Sequence, residues 1–298
     1  MQSKTKKLYQ LFGDLPPRDL PIQVELVNQE KHPSYCLERL VLNCNGIEKV
    51  PALFVYPKVQ AGKLPVVVYN HSHGGRYETG KEELIVGAPY IYKPWLNDLI
   101  TAGYAVIAID HWGFGQRSGR SEMDIFKDFL WHGKSMWGMM VYDSLRAVDY
   151  LCSRAEIDQT RIATLGMSMG STMAWYLAAI DERVKVCVDI CCLTDFHSLL
   201  KHQGLHGHGI YYYVPGLLKF FDTAAINALI APRAHLSLAG IDDLLTPEDG
   251  LDIIDNKLKK VYRRMNSAEN WQLHKFPVGH LETCEMRNII LNFIANKL

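Results

Sequence analysis

No stretch of this chain approaches the ~18 consecutive apolar residues that a membrane-spanning helix needs, so a membrane partner is not expected. Charge of one sign is also lacking: Lys and Arg total 32, and Asp and Glu total 32. That balance gives no electrostatic reason for binding nucleic acid or an anionic lipid surface. Cysteines are few, odd in number and scattered: Cys36, Cys44, Cys152, Cys187, Cys191, Cys192 and Cys284. A chain of 298 residues does not need disulfide staples, and this usage fits a reducing, cytoplasmic setting. No second cysteine pair with zinc spacing follows the vicinal Cys191 and Cys192, which are expected to be structural. The basic residues near Met1 run into Leu8-Tyr9-Gln10-Leu11-Phe12-Gly13-Asp14 and not into a continuous apolar segment, so a secretory signal is not expected. Internal repeats, low-complexity tracts and Pro/Gly/Ser linkers are missing as well. What remains is 48% hydrophobic and 21% charged, enough apolar matter for a sizeable core and too much for wholesale disorder.

The apolar residues fall into short runs. A helical pattern over 6–12 stops at Gly13 and Pro16-Pro17. Extended runs at 35–43 and 50–56 follow, with Asn45-Gly46 between them as a hairpin signal. Further β-rich runs cover 65–69, 104–109, 162–165, 184–190, 234–239 and 271–276. They are nearly all apolar rather than alternating, as parallel strands covered on both faces should be. Helix-length patterns occupy 90–102, 137–152, 172–180, 250–265 and 282–298, and in the second Met140, Leu145, Val148 and Leu151 share one face. A hairpin followed by repeated βα units predicts one α/β domain with a mostly parallel sheet and helices on both faces.

Gly166-Met167-Ser168-Met169-Gly170 follows the run 162–165 directly and precedes a helix. Gly-x-Ser-x-Gly in a strand–turn–helix context is a nucleophile elbow: the turn is too tight for side chains on either flank, and the serine projects above the sheet. A serine hydroxyl is a weak nucleophile that needs a base, and the base needs an acid to orient it. His280 follows the last strand run and precedes the last helix, so it is the expected base. Asp243 or its neighbour Asp242 leaves the run 234–239 as the acid. Ser, Asp and His then occur in the chain order of α/β-hydrolases.

With these motifs in place the chain resembles the α/β-hydrolases of the dienelactone-hydrolase and acetyl-xylan-esterase-like branch. The resemblance covers about residues 35–298 and includes His73-Gly74-Gly75, Asp110 to Gly115, the Ser168 elbow, Ala231-Pro232-Arg233, Gly240-x-x-Asp243 and Gly279-His280. Its Gly-x-x-Asp spacing implies Asp243 as the acid rather than Asp242. It also implies an oxyanion hole made by the Met169 amide and an amide of the Gly74, Gly75, Arg76 loop, without deciding which. Asp110 belongs to a loop that shapes the site and is not expected in the triad. Ser171 stands where many relatives place another glycine.

The implied activity is that of a serine carboxylesterase acting on small-molecule esters of short acyl chains through an acyl-enzyme. No cofactor and no metal are expected. His71-x-His73 and His206-x-His208 have a spacing that two metal ligands could use, but no carboxylate or cysteine cluster accompanies them in sequence. Residues 1–298 are read as one domain, with 1–34 as an N-terminal extension and about 196–225 as a cap-like insertion. Within that insertion Tyr211, Tyr212 and Tyr213 are candidates for a substrate-pocket wall, with core packing as the alternative. Two other readings stand beside the esterase: a serine peptidase similar to prolyl oligopeptidases, and a hydrolase-fold binding protein without catalysis. The oligomeric state has no sequence signal.

Overall fold

The computed structural model describes residues 3–59 and 62–298. Nine strands form one sheet: β1 (Gln23–Lys31), β2 (Tyr35–Asn43), β3 (Val50–Pro57), β4 (Leu64–Asn70), β5 (Ala105–Ile109), β6 (Ile157–Met167), β7 (Val184–Ile190), β8 (Ala234–Gly240) and β9 (Trp271–Phe276). Their spatial order is β1-β2-β3-β5-β4-β6-β7-β8-β9. The pairings β1/β2, β2/β3 and β3/β5 are antiparallel, and the five from β5/β4 to β8/β9 are parallel. This is the mostly parallel α/β sheet that the repeated βα units predicted, in the α/β-hydrolase arrangement that the resemblance implied.

Alternation along each strand feeds two cores. In β4, Val66 and Val68 enter the layer with the helices Met136–Ser153, Met169–Ile180 and Glu248–Arg264. Val67 and Tyr69 enter the opposite layer, beneath the helices Leu96–Thr101 and Cys284–Lys297. Helix Met136–Ser153 is capped by Ser135, whose side chain accepts from the Gly138 amide, and it is buried on nearly every side. The face predicted from Met140, Leu145, Val148 and Leu151 is therefore only part of its contact surface.

Several expectations needed correction. The pattern read as a helix over 90–102 yields only Leu96–Thr101. Pro94 disfavours helical backbone in the residue before it, and the segment ahead of Trp95 runs as turns. The first helix spans Ser3–Gln10 rather than 6–12, and Glu122–Trp131 is a helix that the periodicity did not reveal. β1 was also missed: its residues are almost all exposed, so no buried alternation marks them. Asn45-Gly46 does lie between antiparallel β2 and β3, in a connection longer than a two-residue turn. There the Asn45 Oδ1 accepts from the Ile47 and Glu48 amides, both at 2.9 Å.

The stretch 196–225 holds the helix Phe196–Lys201, the start of Thr223–Asn227, and three single turns of 3₁₀ helix between them. Among the described residues no helix is long and apolar enough to cross a membrane.

Candidate active site

Ser168 sits between the end of β6 and the helix Met169–Ile180, with φ +57° and ψ −119°. A non-glycine residue pays for that conformation, and such strain persists only where the surroundings enforce it. The two glycines show what enforces it. A β-carbon on Gly166 would run into the Gly170 carbonyl, and one on Gly170 would run into the Asn70 carbonyl at the end of β4. The elbow is thus pressed against the neighbouring strand, and the Ser168 amide donates to the Ile190 carbonyl of β7 at 2.9 Å. A twelve-residue helix begins directly after the serine, so its positive end lies where negative charge would develop.

The turn after β8 buries Asp243 and leaves Asp242 exposed. Asp243 Oδ1 accepts from the Leu245 amide at 2.9 Å, while Oδ2 lies 2.7 Å from His280 Nδ1. A carboxylate only accepts, so Nδ1 is the donor, and in the neutral ring Nε2 is left as the acceptor. The Asp242 amide donates to the Val278 carbonyl at 3.0 Å, which ties the acid turn to the histidine loop. Cys191, itself left-handed at φ +49°, points its thiol at the Leu281 carbonyl at 3.7 Å. Burial pushes this thiol up to about 12, which disfavours the thiolate. Among the described residues the His280 ring bonds to Asp243 and makes no hydrogen bond to Ser168.

The loop after β4 carries Gly74 at φ +48° and Gly75 at φ +82°. Its amides are not equivalent. Gly75 donates to His73 Nδ1 at 3.0 Å and Arg76 donates to the His73 carbonyl at 2.7 Å. Both are spent inside the loop, whereas the Gly74 amide has no protein acceptor among the described residues.

A family model described as alpha/beta hydrolase fold matches residues 65–242. The chain belongs to the α/β-hydrolase family. It is 50% identical over 296 residues to "Putative hydrolase YtaP" of Bacillus subtilis (strain 168), covering 99% of both chains. Among solved structures, the glucuronoyl esterase from Solibacter usitatus matches with a TM-score of 0.74 at 14% identity, covering 99% of this chain and 92% of that one. The acetyl xylan esterase from Paenibacillus sp. R4 matches with a TM-score of 0.64 at 21% identity, over 99% and 92% of the two chains. At such identities these two likenesses show the fold.

In this α/β-hydrolase the three tyrosines of the insertion part company. Tyr211 is buried against Phe114, Trp137 and His73, and its hydroxyl lies 2.7 Å from His73 Nε2. Because His73 Nδ1 accepts from Gly75, Nε2 must donate to Tyr211, whose own O–H proton then has no acceptor among the described residues. Burial, aided by the neighbouring His71 and His280, holds His73 down at about 4, so it stays neutral near pH 7. Tyr212 packs among Trp137, Phe196 and His208 in the core. Tyr213 turns back and donates to the Leu205 carbonyl at 2.7 Å. Of the three only Tyr211 reaches the Gly74 loop.

Asp110 is fully buried and bound to Lys81, so it braces its loop as expected. The paired histidines do not converge on a common point. His71 Nδ1 donates to the Ser72 carbonyl and its Nε2 accepts from the His111 amide, whereas His206 and His208 bond to the Gln203 and Leu245 carbonyls. A buried trio that sequence reading did not single out is Cys187, Asp189 and His235, with ligand atoms within 4.8 Å of one another. Both Asp189 oxygens are already engaged, by His235 Nε2 at 2.6 Å and Ser237 Oγ at 2.7 Å.

Proposed function

We propose that the protein is a serine carboxylesterase that hydrolyses short-chain esters of small molecules through an acyl-enzyme, with Ser168, His280 and Asp243 as its triad. The observation that carries this reading is the 2.7 Å bond from His280 Nδ1 to the buried Asp243, beside a serine held in a strained elbow. The solved relatives named as esterases support the reaction class.

Ser168 Oγ attacks the ester carbonyl carbon while His280 Nε2 takes its proton, and Asp243 stabilises the imidazolium. The tetrahedral oxyanion is held by the Met169 amide at the helix start and by the Gly74 amide, the unspent donor of its loop. Collapse breaks the ester C–O bond, and the leaving alkoxide takes the proton from His280. Water then attacks the acyl-serine with His280 again as base, releasing the carboxylic acid and restoring Ser168. The reaction needs water and no cofactor. Tyr211, held against His73 of the Gly74 loop, is the pocket wall in this reading and is what favours short chains.

The test is covalent labelling with a fluorophosphonate together with hydrolysis of p-nitrophenyl acetate. Wild type should label and turn over, and Ser168→Ala should do neither while keeping its melting temperature within a few degrees. A cleanly folded Ser168→Ala with wild-type kcat would overturn the reading. Cleavage of peptide amides at rates matching esters would favour the peptidase instead.

A further inference from the structure

Behind the Gly74 loop lies a buried carboxylate that the triad does not use. Glu83 is 1% exposed and accepts from the Tyr69 hydroxyl at 2.8 Å, from the Ser72 amide at 3.0 Å and from the Ser72 hydroxyl. Since the Ser72 proton goes to the carboxylate, the 2.6 Å contact between Ser72 Oγ and Tyr90 Oη has Tyr90 as donor. The Tyr90 ring is thereby laid on Gly74: a β-carbon there would collide with the ring. The other end of Tyr90 belongs to the histidine loop. Its carbonyl accepts from the Glu282 amide at 2.8 Å, and its ring centroid is 6.4 Å from that of His280. Glu282 is itself anchored, accepting from the Tyr92 amide at 3.2 Å and from Arg287 at 2.6 and 2.8 Å.

We propose that Tyr90, oriented through Ser72 by the buried Glu83, is a positioning residue that sets the Gly74 oxyanion loop against His280. Its main chain is fixed to one loop and its side chain to the other, so the separation of oxyanion donor and base is set by one rigid aromatic residue. The inference rests on the esterase reading above. Tyr90 touches no reacting atom; it acts by holding Gly74 in the φ +48° conformation that leaves its amide unspent.

Tyr90→Phe keeps the ring and removes the anchor. Losing an oxyanion donor outright costs about 10²–10³ in kcat, so letting that donor wander should cost about tenfold, with KM changed less than about twofold. A trifluoromethyl ketone, which forms a serine hemiketal, should lose affinity in parallel with kcat. The Tyr90 hydroxyl also lies 3.5 Å from Glu83 Oε2, so Ser72→Ala should give the same pattern at a smaller size, and the double variant should be no worse than Tyr90→Phe alone, which already removes both contacts. Three results would overturn the inference: unchanged kcat and inhibitor affinity in both single variants, multiplicative losses in the double variant, or a lowered melting temperature with full kcat per folded molecule. The underlying reading is checked separately, by fluorophosphonate labelling of wild type and its loss in Ser168→Ala. If those hold while Tyr90→Phe is fully active, only the positioning role fails.

Discussion

The Lys81 ammonium lies 2.7 Å from the Asp110 carboxylate, and neither side chain reaches solvent. Asp110 also accepts from the Lys81 amide at 2.8 Å and the Gln116 amide at 3.0 Å, and glycines at 80 and 115 leave the space it occupies. An acidic residue ahead of the elbow in sequence therefore closes a loop instead of orienting a histidine. Lys81→Met would leave that carboxylate buried without its cation, a loss of roughly 3–5 kcal/mol. Urea unfolding should show it as a large drop in midpoint, with kcat per folded molecule retained. A dead but fully stable variant would instead place Asp110 in the chemistry.

The neighbouring aspartates separate cleanly. Asp243→Asn should lower kcat by about 10⁴, because the His280 tautomer and its stabilising charge are both lost. Asp242→Asn, at an exposed position, should stay within about threefold of wild type. Steady-state kinetics on p-nitrophenyl acetate decides, and the reverse ranking would move the acid by one position.

Acid should unfold this protein through histidines. Burial lowers His73 to about 4, lowers His71, and lowers His111 well below the ordinary value near 6.5. Below about pH 6.5 the unfolded chain takes up protons that these folded residues refuse. The unfolded state then binds more protons, so stability falls as pH drops from about 6.5 towards 4, and these groups contribute no slope above that window. Denaturant midpoints at pH 7.5, 6.5, 5.5 and 4.5 should be level at first and then decline, more gently in His73→Gln. A midpoint independent of pH down to 4.5 would contradict this.

Acyl length should respond to Tyr211. Each methylene that finds apolar burial adds about 0.8 kcal/mol, and on the proposed reading Tyr211, held against His73, ends that gain at two to about four carbons. Across p-nitrophenyl esters kcat/KM should peak in that range, and Tyr211→Ala should shift the peak to longer chains. Wild-type preference for eight carbons or more would show the wall to be elsewhere.

Local pattern determined much of this molecule. The apolar runs located eight of the nine strands, because buried parallel strands need a β-rich composition wherever they lie. The Gly166-Met167-Ser168-Met169-Gly170 turn was legible because its steric demand is confined to five residues and the strand beside them. Tertiary structure decided what depends on partners distant in sequence. β1 carries no burial signal and is a strand only because β2 pairs with it. Three adjacent tyrosines look alike in sequence, and only packing sends Tyr211 to His73, Tyr212 into the core and Tyr213 back to Leu205. The Gly75 amide is lost as a free donor to a bend of its own loop towards His73, and Tyr90 reads locally as the start of a helix. Its position between Gly74 and the His280 loop joins residues about 190 apart in the chain, and periodicity over a few turns holds no trace of such a contact.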